Sequence, residues 1–151
     1  MLLEKKYKNI QETMYYLMLQ ILDSVKWCKN NIERMSIEDF FLFMQQNIKF
    51  KEDPEGVELI QSSETFFENN YHGFSGYGDC DCFVVTVSAY CLAYKIPCQI
   101  ILAGRSIVAP VHIYNEVLNS ENKLCTFDLT EKNFCQKRFY KYTQIIPLYY
   151  N

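Results

Sequence analysis

Apolar side chains recur at intervals of three and four between Thr13 and Lys29, at Met14, Leu17, Met18, Ile21, Leu22 and Val25. That spacing places them on one broad face of an amphipathic helix and predicts a core-facing element. A second helix is expected from Ser36, with Phe40, Phe41, Met44 and Ile48 continuing its apolar side. Ser36 followed by Asp39 resembles a capping arrangement, although the usual reciprocal partner is Glu or Gln. Pro54 and Gly56 mark a loop. Val57–Asn69 fits a short helix and an irregular segment equally well. Tyr71–Gly78 holds three of the five glycines, Gly73, Gly76 and Gly78, and predicts a flexible or tightly turned approach to Asp79-Cys80. Cys80–Lys95 contains neither Gly nor Pro and reads as a helix, with Val84, Val87, Cys91 and Tyr94 on one face. It should stop near Ile96, because Pro97 disfavours helical backbone in the residue before it. Val, Ile, Phe and Tyr then predict strands at Cys98–Leu102, Ile107–Val117 and Lys123–Leu129, with turns at Gly104 and Asn119–Asn122. Thr143–Tyr149 reads as a further strand, where Pro147 suits an edge or an end. Helices, then a central helix, then an antiparallel sheet make an α+β plan.

Composition narrows the picture. A chain of 151 residues fits a single domain. Its 49% hydrophobic content, with 12 Tyr and 11 Phe, supplies a core and excludes a disordered chain. The net charge of -3 gives no basic footprint for nucleic acid. The Lys-bearing stretches near Lys5–Lys8 and Lys132–Lys141 are short and interrupted, and read as solvated surface. No run reaches the roughly 18 apolar residues of a membrane span, so no membrane partner is expected. No secretory leader is visible, since Gln11, Glu12, Gln20 and Asp23 interrupt the segment after the first basic residues. A reducing, cytoplasmic setting is the default, and most of the seven cysteines are expected to be buried thiols.

Three residues carry the chemistry. Cys80 opens the central helix, where unpaired backbone N–H groups are expected to lower its pKa and to donate to a developing oxyanion. His112 lies in a strand whose alternation puts it with Tyr114 and Glu116 on one face, and Val111, Ile113, Asn115 and Val117 on the other. Asp128 lies in the next strand, where a hairpin can bring it beside His112. A thiolate to attack a carbonyl, an imidazole to move the proton and a carboxylate to orient the imidazole form a complete set. The plainer readings are a buried thiol, a polar strand residue and a turn begun by Asp128 with Thr130. Zinc is disfavoured, because Cys80 and Cys82 lack a second compact ligand pair and Cys91 lies about 16 Å further along the helix. Cys-x-Cys is also not the Cys-x-x-Cys of thioredoxin-like exchange, although a regulatory Cys80–Cys82 disulfide is conceivable.

The wording around these residues adds a resemblance. Gly78-Asp79-Cys80-Asp81-Cys82-Phe83-Val84, closed by Lys95-Ile96-Pro97, resembles the nucleophile segment of the transglutaminase-like superfamily. Val111-His112-Ile113-Tyr114-Asn115-Glu116-Val117 resembles its histidine strand, and Phe127-Asp128-Leu129-Thr130 its aspartate strand. The three blocks stand in family order and span residues 78 to 130, about a third of the chain. The resemblance implies a papain-like fold, with the cysteine helix packed on an antiparallel sheet. It implies Cys80 as nucleophile, His112 as general base and acid, and Asp128 as the orienting carboxylate. The implied reaction is hydrolysis or acyl transfer at peptide, isopeptide or glutamine amides of a peptide or protein substrate, with no cofactor and no metal. Other members of this fold only bind, and small ones occur in phage, where a virion-associated role is the alternative. Cys82 stands where a second acidic residue is common, and Lys95 replaces the usual Gly. Asn69, Asn70 and Tyr77 are the candidates for a side-chain oxyanion donor, and Phe66–Phe74 for a groove wall.

Overall fold

The computed structural model describes residues 2–5, 10–52, 58–68, 76–106 and 109–148. The elements run β1 (Leu2–Lys5), α1 (Ile10–Asn31), α2 (Ile37–Asn47), β2 (Ile48–Phe50), β3 (Glu58–Gln61), α3 (Ser63–Glu68), β4 (Gly76–Gly78), α4 (Cys80–Ala93), β5 (Cys98–Ser106), β6 (Ala109–Leu118), β7 (Leu124–Phe127) and β8 (Tyr142–Pro147). The class is mixed α+β. The main sheet has four strands in the order β7-β6-β5-β8, with every neighbouring pair antiparallel. Two small ladders stand apart from it, β1 with β3 antiparallel and β2 with β4 parallel.

Helix α4 is the centre of the molecule. Every residue from Cys82 to Cys91 is buried. A helix apolar on all sides has to be enclosed on all sides. The sheet encloses it through strands β5 and β6, while α1, α3 and β3 also touch it. Ile100, Leu102, Ile113, Val117 and Phe127 of the sheet join Leu17, Ile21 and Phe40 of the first two helices in one core. Phe40 lies flat on Tyr90 of α4, with centroids 3.7 Å apart. The Tyr90 hydroxyl accepts from the Met35 N–H at 2.9 Å and donates to the Met35 carbonyl at 3.0 Å. Several polar groups inside this core are paired with one another, as burial favours. Ser63 Oγ and Thr86 Oγ1 are 2.8 Å apart, and Asn115 Nδ2 donates to Ser88 Oγ at 2.9 Å.

Local signals place the helices well. Ser36 caps α2 by accepting from the Asp39 N–H at 3.1 Å, so the cap forms without the reciprocal bond. The undecided Val57–Asn69 stretch contains strand β3 and helix α3. Helix α2 stops at Asn47 rather than carrying Ile48, which instead begins β2. Its partner β4 covers the end of the glycine-rich stretch, whose residues 71–75 lie outside the described structure. Gly78 serves close approach there rather than flexibility. A Cβ on it would lie 2.7 Å from Cys82 Cβ and 3.1 Å from Phe66 Cε2. The Lys123–Leu129 strand shrinks to β7, and Pro147 ends β8 on a sheet edge, where its missing N–H costs no ladder bond.

Most of the seven cysteines are buried thiols, as expected, but Cys125 and Cys135 form a disulfide. The chain leaves β7 and turns back, bringing the two Cα atoms to 4.8 Å across a separation of 10 residues. Cys28, Cys82, Cys91 and Cys98 are buried thiols, and Cys80 is a partly buried one.

Helix α4 ends in a paired motif. Ile96 N–H reaches the Cys91 carbonyl at 2.8 Å and Lys95 N–H the Leu92 carbonyl at 3.4 Å. Lys95 takes a left-handed backbone with φ 56°, which is ordinarily the place of glycine. The Lys95→Gly variant should therefore gain about 1 kcal/mol by relieving the Cβ clash. A higher urea midpoint with an unchanged m-value checks this, and an unchanged or lower midpoint would refute it.

Candidate active site

The candidate site lies where two strands stop pairing. Strand β7 pairs with β6 only from Leu118↔Leu124 to Asn115↔Phe127. Beyond that point the β6 edge at Ile113 has no β7 partner, and the start of α4 comes up to it. The Ile113 backbone lies close enough to the Cys80 thiol to favour its ionised form. Asp128 is the first residue after β7, so it sits at this same break. A small cavity of about 10 Å³ is lined by Cys80, Val84, Ile113, Phe127, Asp128 and Leu129. Its size matches a single water position.

His112 and Asp128 are brought together. His112 Nε2 and Asp128 Oδ2 are 2.7 Å apart, with the two side chains 13% and 5% exposed. An ionised carboxylate can only accept, so the Nε2 proton belongs to the imidazole. The neutral ring then keeps its lone pair on Nδ1. Asp128 Oδ1 accepts from the Thr130 N–H at 3.0 Å and the Thr130 hydroxyl at 2.7 Å. Both carboxylate oxygens are thus occupied. Burial alone pushes this carboxyl upward, but the hydrogen bond and charge of His112 and the two Thr130 bonds outweigh it, and the net shift is below the usual value. Thr130 is therefore part of the arrangement. Its signal in the sequence was the Asp-x-Thr spacing alone.

Cys80 stands differently. It opens α4 as expected, but its Sγ makes no hydrogen bond to His112. Burial pushes its thiol well above the ordinary cysteine range, the charges of Asp81, Asp79 and Asp128 push it further, and the Ile113 backbone opposes them. This reverses the expectation of a lowered pKa. Burial is the main reason, and the carboxylates at the helix start add to it. Asp79 is the N-cap of α4 and its Oδ1 accepts from the Asp81 N–H at 3.1 Å. A carboxylate, not the thiol, thus takes that helix-end donor, and its charge faces the sulfur.

Cys82 turns away from this break. Its thiol is buried, accepts from Gln61 Nε2 at 3.6 Å, and is pushed up to about 12, chiefly by burial. Cys80 and Cys82 are both free. Of the oxyanion candidates, Asn69 and Asn70 lie outside the described residues. Tyr77 is exposed and its carbonyl accepts from Gln61 Nε2 at 2.9 Å. Of the proposed groove wall, Phe66 and Phe67 are core residues, and 69–74 lie outside the described residues. Among the described residues no cluster suits a metal ion and no helix is long and apolar enough to cross a membrane.

Two aromatic residues complete the surroundings. Tyr114 and Tyr140 flank the imidazole, with ring centroids 5.6 and 5.8 Å from it. Burial, with help from the Glu116 charge, pushes the Tyr114 phenol up to about 12. Strand alternation placed Tyr114 beside His112, whereas Tyr140 comes from the irregular segment before β8 and gave no signal. Set against protein-family models, curated proteins and solved structures, the chain matches none.

The lowered Asp128 carboxyl has a consequence for acid stability. Its folded pKa lies below the unfolded value of about 3.9, so its contribution is complete above that value and disappears as pH falls through the folded pKa. Asp128→Asn should cost on the order of 1–3 kcal/mol at pH 7 and show a flatter loss of stability in acid than the parent chain. Urea midpoints from pH 6 down to about 2 measure both slopes; parallel slopes would refute the assignment.

Proposed function

We propose that this chain is a thiol-dependent amide hydrolase or acyltransferase of the transglutaminase-like, papain-fold type, using Cys80, His112 and Asp128. The observation that carries the reading is the 2.7 Å His112–Asp128 bond beside a cysteine that opens a buried helix. Asp128 fixes the tautomer that leaves Nδ1 basic. The arrangement of α4 against an antiparallel sheet is compatible with a papain-like core.

The resting thiol is neutral, so attack has to be coupled to its deprotonation. Cys80 Sγ attacks the carbonyl carbon of a peptide or glutamine side chain while its proton passes to His112 Nδ1. The imidazolium is stabilised by Asp128. It then protonates the departing amine as the C–N bond breaks and a thioester forms. Water resolves the thioester to a carboxylic acid in hydrolysis, and a second amine resolves it to a new amide in transfer. The step needs Sγ and Nδ1 within hydrogen-bond reach, and so a shift of the Cys80 side chain at the helix start.

A second reading has its own support. A neutral Cys80 thiol, unbonded to His112 and flanked by Asp79 and Asp81, also fits a protein that uses this fold for binding. Thiol labelling with a peptide-based electrophile separates the two. Catalysis predicts that Cys80 reacts ahead of Cys28, which is buried and pushed up to about 12. It also predicts that His112→Ala slows labelling by about 10²-fold or more. Equal rates in the parent and the His112 variant would leave only the binding reading.

A further inference from the structure

His112 lies on the face of the sheet opposite α4, yet it is only 13% exposed. Its cover comes from aromatic rings. Tyr114, two residues along β6, stacks at 5.6 Å and an interplanar angle of 30°. Tyr140 stacks at 5.8 Å and 30°, and the two tyrosines lie 6.2 Å apart at 27°. These separations suit offset aromatic stacking. Tyr140 also packs against Ile101, Ala103 and Tyr114, a small cluster separate from the main core.

The segment that presents Tyr140 is braced at both ends. On one side the Cys125–Cys135 disulfide ties it to β7, and the Cys135 N–H reaches the Thr126 carbonyl at 2.9 Å. On the other, β8 starts two residues later with Tyr142 opposite Gly104. Arg138 Nε and Glu131 Oε1 are 3.0 Å apart across the segment. They form an ion pair by distance without hydrogen-bond alignment, because Glu131 Oε1 has no hydrogen-bond partner among the described residues. Nothing in the packing of α4 requires a tyrosine at this place.

We propose that Tyr140 is a positioning residue for His112. Its ring clamps the plane of the imidazole and shelters the Nε2–H···Oδ2 bond to Asp128 from water. The physical need is specific. Among the described residues His112 is bonded at one nitrogen only, so its ring can pivot about that bond unless its faces are held. A pivot would misdirect Nδ1, the nitrogen that has to receive a proton. Among the described residues, the groups that face the imidazole are Asp128 and Thr130 after β7, Tyr114 on its own strand and Tyr140 itself. A phenyl ring meets the need as well as a phenol, so the clamp depends on the ring rather than the hydroxyl. The inference rests on the acyl-transfer reading for its catalytic meaning, but the clamp itself is measured separately.

The test is nuclear magnetic resonance of the His112 Nε2 proton in the full chain, assigned as the imidazole signal lost in His112→Ala. The parent chain should show a protected downfield signal, with Overhauser contacts from the His112 ring to Tyr140. Absence of either overturns the proposal without reference to any variant. Tyr140→Phe should retain the signal. Tyr140→Leu should speed its exchange with water by more than about tenfold. Exchange unchanged in the leucine variant overturns the clamp, and so does equal acceleration in the phenylalanine and leucine variants. Cys80 labelling is followed in parallel, where the leucine variant should be slower by about tenfold or more. Fast exchange with unchanged labelling keeps Tyr140 as the clamp and removes the acyl-transfer reading instead.

Discussion

Helix α4 has no solvent face from Cys82 to Cys91, and that enclosure dictates the arrangement of everything around it. One side is covered by the sheet, the other by α1 and α3, and α2 adds the Phe40 ring over Tyr90. Polar side chains carried into this space pair across it, Ser63 with Thr86 and Asn115 with Ser88. Each match ties a different element to the same helix. The start of α4 therefore cannot drift, and Cys80 is held at the break between β6 and β7. Gly78 contributes from outside, because only a residue without a side chain lets β4 come so close to Cys82.

The break explains how Asp128 reaches both faces of the sheet, the imidazole on one and the cavity at Cys80 on the other. Helix α4 packs on the Ile113 and Val117 face, and His112 lies on the other. A complete β7 would separate them. Because β7 ends at Phe127, Asp128 can bond the imidazole and also line the cavity at Cys80. The two halves are electrostatically unequal. The His112–Asp128 pair is well satisfied, with both carboxylate oxygens occupied. Cys80 is held neutral by burial and by carboxylates at the helix end. In the proposed reaction this inequality assigns the work of deprotonation to His112, since the helix terminus does not supply a ready thiolate.

The order of the helices and sheet strands and the pairing of His112 with Asp128 were legible, because each depends on local pattern or on adjacent strands. Periodicity revealed α1, Ser36 marked the start of α2, and the absence of Gly and Pro outlined α4. Strand alternation put His112 and Tyr114 on one face, and the hairpin argument put Asp128 within reach. Three things were decided only in three dimensions. The parallel pairing of β2 with β4 joins segments whose hydrogen bonds have no local pattern. The Cys125–Cys135 disulfide and the position of Tyr140 both depend on how an irregular segment returns from β7 to β8. The acidity of Cys80 depends on the balance between helix-end donors, burial and nearby carboxylates. A sequence shows that all of these are present, but only distance and enclosure decide which one prevails.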